Sequence, residues 1–87
     1  MDDSEDVVAT MNRLRWRCRR GTRELDRLVG WWLTERYENS DGATRAAFAM
    51  MLECPDPDLW SWLSGQATPA DPAIARVVDE IRERHRV

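Results

Sequence analysis

The chain has 87 residues, a formal net charge of −3, 43% hydrophobic residues and 33% charged ones. This is a globular balance, and the length limits the chain to one domain with a small core and little room for an enclosed active site. No apolar run could cross a bilayer, no signal peptide opens the sequence, and the two cysteines, Cys18 and Cys54, lack metal-site spacing, so a cytoplasmic protein with both thiols buried as small apolar groups is expected.

Met1 to Asp6 carries four acids and nothing to pack. It is expected as a flexible acidic N-terminus (1–6), or at most an acidic lead-in to a helix, ahead of a single helical domain over 7–87. Val7, Met11, Leu14 and Cys18 recur at helical spacing and predict a first helix from Val7 to Arg20. Gly21 breaks it, suited to a left-handed C′ position, and Thr22 can cap a second helix reaching Tyr37. Leu25, Leu28, Val29 and Trp32 are the inner stripe of that helix, and Gly30 inside it costs about 1 kcal/mol relative to Ala.

Asn39-Ser40-Asp41-Gly42 is a turn cluster that also offers a cap. Thr44, Ala47, Phe48, Met51 and Leu52 then form the apolar stripe of a third helix, which Cys54-Pro55 ends. Asp56-Pro57 predicts a fourth helix with Asp56 as N-cap and Pro57 at the first helical position. Its inner face is Leu59, Trp62 and Leu63, Trp60 points elsewhere, and Ser64-Gly65 closes it. Asp71-Pro72 repeats the start signal for a fifth helix with Ile74, Val77, Val78 and Ile81 inside, fraying into Glu83-Arg84-His85-Arg86. Nothing alternates with period two over strand length, so the fold class is all-α, a compact single-domain bundle of about five short helices.

Charge is concentrated in one place. Seven arginines lie between Arg13 and Arg27 against Glu24 and Asp26, a local charge of +5, and all thirteen basic residues of the chain are Arg. Two tryptophans there fall off the core stripes. Trp16 projects with Arg13 and Arg20 at spacings of three and four, while Glu24, Arg27, Trp31 and Glu35 line the flank of the second helix. Charged residues around exposed aromatics mark a contact surface. The candidate partner-binding residues are Trp16, Arg19, Arg20, Gly21, Glu24, Asp26, Arg27 and Trp31. No candidate catalytic, cofactor-binding or metal residue is proposed, because the chain has no plausible nucleophile, metal cluster or glycine-rich phosphate loop.

Two motifs carry a resemblance. Trp16-Arg17-Cys18-Arg19-Arg20-Gly21-Thr22-Arg23-Glu24-Leu25-Asp26 contains RGxxE, and Leu52-Glu53-Cys54-Pro55-Asp56-Pro57-Asp58-Leu59-Trp60-Ser61-Trp62-Leu63 contains Asp-Pro-Asp-Leu, an aromatic and a Trp-Leu pair. In that order and spacing, from Arg13 to His85, the chain resembles the succinate dehydrogenase flavinylation factors, or FAD assembly factors. The resemblance implies a compact all-helical domain. It further implies a non-enzymatic, chaperone-like bacterial factor that binds the flavoprotein subunit of succinate dehydrogenase or fumarate reductase. The factor promotes the bond between that subunit's own histidine and its own FAD; the chain is expected to hold no cofactor stably itself and to be a monomer when free. Carried over by residue, the motif falls on Arg20, Gly21 and Glu24 with Arg19 and Asp26 adjacent. Arg20 and Glu24 would make charged contacts with the client, and Gly21 would let two backbones approach.

Two alternatives stay open at this stage, an antitoxin-like protein-interaction module and a nucleic-acid binder using the arginine patch with Trp16 as a stacking platform. The net acidic chain and the acids inside the patch speak against the second, so no specific DNA or RNA binding and no membrane insertion are expected.

Overall fold

Capping residues write most of the helix starts. The Thr22 hydroxyl accepts from the Leu25 amide at 3.2 Å and opens α2 (Arg23–Glu35). The Asp41 carboxylate accepts from the Thr44 amide at 2.8 Å and opens α3 (Gly42–Met51). Asp71 accepts from the Ala73 amide at 2.8 Å, and Pro72, which needs no amide partner, begins α5 (Pro72–His85). The remaining helices are α1 (Asp3–Arg17) and α4 (Asp56–Leu63). The computed structural model describes residues 3–85, and among them there is no strand.

Three expected boundaries move. The first helix starts at Asp3 rather than Val7 and ends at Arg17 rather than Arg20, and the second stops at Glu35. An acidic first turn suits the positive end of a helix dipole, which carries α1 back into the stretch expected as a tail. Met1 and Asp2, the rest of that stretch's start, lie outside the described residues. Asp56, expected as the N-cap of α4, is instead its first helical residue. Pro55, extended at φ −64° and ψ 152°, takes the cap position without a side-chain bond. α4 ends as Ser64-Gly65 suggests: Gly65 has φ 85°, its amide donates to the Trp62 carbonyl at 3.2 Å, and the Gln66 amide reaches back to the Ser61 carbonyl at 2.9 Å.

The apolar stripes meet as their periodicity requires. Leu25, Leu28, Val29 and Trp32 of α2, Ala47, Phe48 and Met51 of α3, Leu59 and Leu63 of α4, and Ile74, Val77, Val78 and Ile81 of α5 are all buried. α5 packs against α2, α3 and α4 and is the central strut, whereas α1 packs against α2, with Leu14 and the Cys18 that follows the helix buried in the core. At the centre Trp32 stacks on Phe48 with ring centroids 4.5 Å apart and planes 25° from parallel, and Tyr37 meets both rings edge-on. The Trp32 indole N–H is buried with no acceptor among the described residues, a cost on the order of 1–3 kcal/mol set against the aromatic packing around it.

Phe48 is fully buried, so Phe48→Ala removes both its own transfer energy and the face against which Trp32 stacks. Unfolding by urea, followed by circular dichroism, is expected to show a loss of about 3–5 kcal/mol, a large share of the stability of a domain this size.

Candidate partner-binding site

The chain between α1 and α2 is held at several points. As α1 ends, the Cys18 amide donates to the Leu14 carbonyl at 3.0 Å and the Arg19 amide to Trp16 at 3.2 Å. The Arg20 amide leaves the helix ladder and donates instead to the Asp26 carboxylate, which is why the helix does not reach Arg20. Gly21 follows at φ 94°, the left-handed conformation anticipated for it, although it sits in the connection beyond the end of α1 and not at the helix C′. Thr22 then returns to extended backbone, φ −125° and ψ 141°, to cap α2.

Arg20 turns inward. Its Nε donates to Asp56 Oδ1 at 2.8 Å, one terminal nitrogen donates to the carbonyls of Leu52 and Arg17, and the other donates to the carbonyl of Cys54. Its side chain is only 13% exposed. The Leu52 and Cys54 carbonyls follow the last turn of α3 and have no helical amide to bond, so a guanidinium fork is the donor set they need. Asp56 is drawn to Arg20 instead of capping α4, and that explains the missing cap. The two sequence motifs are therefore one contact in space.

The other candidates spread over the surface around this turn. Trp16 is 70% exposed, and the cation over its ring is Arg19, 5.4 Å from the centroid, not Arg20. Glu24 is exposed one turn beyond Gly21 and pairs with Arg27 at 3.2 Å. Asp26 is partly buried under the Arg20 amide. Trp31 departs from its expected place among the exposed flank residues. It is half-buried, with the Arg36 guanidinium 5.5 Å from its ring centroid and the His85 ring T-shaped to it at 5.1 Å. His85 accordingly belongs to a packed helix end rather than a frayed one. Burial holds its imidazole below the usual value, and the neighbouring Arg27 and Arg84 add to the effect.

One residue outside the expected set joins this surface. Trp60, 39% exposed, lines a shallow apolar depression with Thr22, Glu24, Leu25 and Asp56. Helical spacing turns Trp60 away from the core, and the packing of α4 on α2 together with the Arg20 to Asp56 contact brings it beside Thr22 and Glu24. Apart from its chain neighbours, no atom of the described residues lies within 4 Å of where a Cβ on Gly21 would stand, so the backbone there is open to an approaching molecule. Exposed aromatics, a bare glycine backbone and a carboxylate around one braced turn make this surface the candidate partner-binding site.

Comparison with known proteins makes the class specific. Residues 12–85 match the family model described as flavinator of succinate dehydrogenase. The chain is similar to the FAD assembly factor SdhE of Xylella fastidiosa, 42% identical over 77 residues that cover 88% of this chain and 79% of that protein. It is 43% identical over 75 residues to the factor of the same name from Methylococcus capsulatus, covering 86% of this chain and 90% of the relative. The corresponding protein of Shewanella oneidensis is 39% identical over 72 residues. The chain belongs to the succinate dehydrogenase flavinator family, and it is an assembly factor rather than an enzyme.

The cysteines lie on either side of the Arg20 clamp in different environments. Cys18 is buried, and burial pushes its thiol up from 9.0 to about 11, with Arg20 partly opposing this and Asp26 adding to it. Cys54, expected to be buried as well, is half-exposed, its Sγ 3.7 Å from the Met50 carbonyl. In native protein at pH 8 a thiol reagent is expected to label Cys54 at least about tenfold faster than Cys18, with both reacting together in denaturant. Because Cys18 keeps its proton longer when folded, its contribution to stability is complete below pH 9.0 and declines as pH rises toward about 11, which alkaline denaturation of Cys18→Ala against the parent checks.

Proposed function

We propose that this chain docks on the flavoprotein subunit of succinate dehydrogenase, or of fumarate reductase, and promotes covalent attachment of FAD to it. The observation that carries the reading is the exposed Gly21 to Glu24 edge, braced from behind, with Trp60 beside Thr22 and Glu24 and exposed Trp16 near the end of the preceding helix, in a chain whose relatives are named FAD assembly factors. The factor supplies a surface. The reacting groups, a histidine and the flavin, belong to the client, and no flavin is held stably on the factor.

Such a surface acts by differential affinity. Binding more tightly to the client conformation in which histidine and flavin are correctly placed raises the population of that conformation. Gly21, with no side chain, admits a second backbone, Glu24 offers a carboxylate to a basic group, and the exposed rings of Trp16 and Trp60 give apolar area. The free factor is a cytoplasmic monomer. It does not take nucleic acid as its partner, because the chain is net acidic and the basic stretch carries its own acids, Glu24 and Asp26. Among the described residues no helix is long and apolar enough to cross a membrane.

Glu24→Ala isolates docking from folding. The residue is exposed and its pair with Arg27 is a surface i,i+3 bridge, so the expected stability loss is below about 1 kcal/mol. Co-expressed with the client, this variant is expected to lower the flavin fluorescence that stays with the denatured client polypeptide while keeping its own melting temperature. Full covalent flavin from a stable Glu24→Ala factor would remove Glu24 from the docking site.

A further inference from the structure

We infer that Arg20 is a positioning residue of the docking edge and not one of its contacts. Its guanidinium locks the turn between α1 and α2 onto the junction between α3 and α4, and so fixes where Gly21 and Glu24 stand. The lock is a property of the free chain; its consequence for flavin attachment rests on the docking reading above.

The geometry leaves the guanidinium little to offer a partner. All three of its nitrogens donate within the chain, to Asp56, Leu52, Arg17 and Cys54. These acceptors are spread along residues 52–56 and the end of α1, and a planar fork reaches them together. A lysine ammonium, with its three donors at one point, cannot span them. On the backbone side the Arg20 amide is held by Asp26, and Thr22 caps α2. Gly21 therefore lies between two anchored residues, and Glu24 follows on the first turn of a helix whose start is set by the second anchor. Asp56 is the other half of the device, because a carboxylate at that position serves Arg20 where a cap was expected.

Arg20→Lys separates the two roles, since it keeps the positive charge and loses the fork. In the free protein, hydrogen exchange is expected to accelerate at least about tenfold at the amides of residues 20, 25 and 26, with the core amides of Val77 and Ile81 unchanged. Parent-like exchange at those three amides would overturn the lock. Equal acceleration across α5 would also overturn it, by making Arg20 a general stability element. In the client assay, Arg20→Lys is expected to need at least about tenfold more factor for half-maximal covalent flavin yet to reach the parent plateau. Combining it with Asp56→Ala is expected to add nothing, because both act through one contact. A parent-like titration of Arg20→Lys would show that charge alone suffices, and an additive loss in the double variant would show that the two residues act separately; either result rejects the inference. A client that does not respond to the parent factor refutes the docking reading, and the exchange measurement then decides the lock by itself.

Discussion

The carbonyls that follow the last turn of a helix have no helical amide ahead of them, and where no turn amide or water reaches them a side chain is the donor left. Arg20 meets those beyond α3 from a loop more than thirty residues earlier in sequence, through Leu52 and Cys54. Arg45 does the same for the end of α2: its Nε donates to the Tyr37 carbonyl at 2.9 Å, its terminal nitrogen donates to Glu38, and the guanidinium stands 5.1 Å from the Tyr37 ring centroid. Both clamps use the planar, always charged group, and lysine, absent from this chain, would serve neither well. The fold closes around these two points. One ties the surface turn of α1 and α2 to the far helices, and the other ties α2 back to α3.

Seen from the Arg20 clamp, the family motif divides into two sides. Arg20 and Asp26 face the interior and hold the turn, while Gly21 and Glu24 face outward. An edge braced in this way loses little conformational entropy when a partner covers it, so more of the contact energy remains as affinity. The bracing also lets a domain with one small core present a defined surface from a connecting loop, where mobility is the ordinary condition.

The helical architecture was legible because burial follows the 3.6-residue period. Leu25, Leu28, Val29 and Trp32 in α2 and Ile74, Val77, Val78 and Ile81 in α5 occupy the core as their spacing requires. Local signals served well where only local partners matter, as at Thr22 and Asp71. The same Asp-Pro pair failed at Asp56 because its carboxylate is claimed by an arginine distant in sequence, and no local rule can supply that residue. Trp31 shows the same limit: its exposure depends on His85, at the other end of the chain. Trp16, Glu24 and Arg27 stayed on the surface as expected, since nothing distant competes for them. Helical spacing sets Arg20 outward beside Trp16, and that reading fails because the helix that would have set its direction ends at Arg17 and the side chain turns inward.

Gly21 combines a positive φ with empty space around the position of a Cβ. Within the free domain the restriction at this residue is therefore one of handedness rather than volume. A residue of the mirror configuration, such as D-alanine placed by chemical synthesis, would favour the same backbone angle. Steric demand and chirality, which every ordinary substitution for glycine alters together, come apart at this one position: what the fold requires of Gly21 is stereochemical, and any further requirement for smallness must come from the molecule that lies against it.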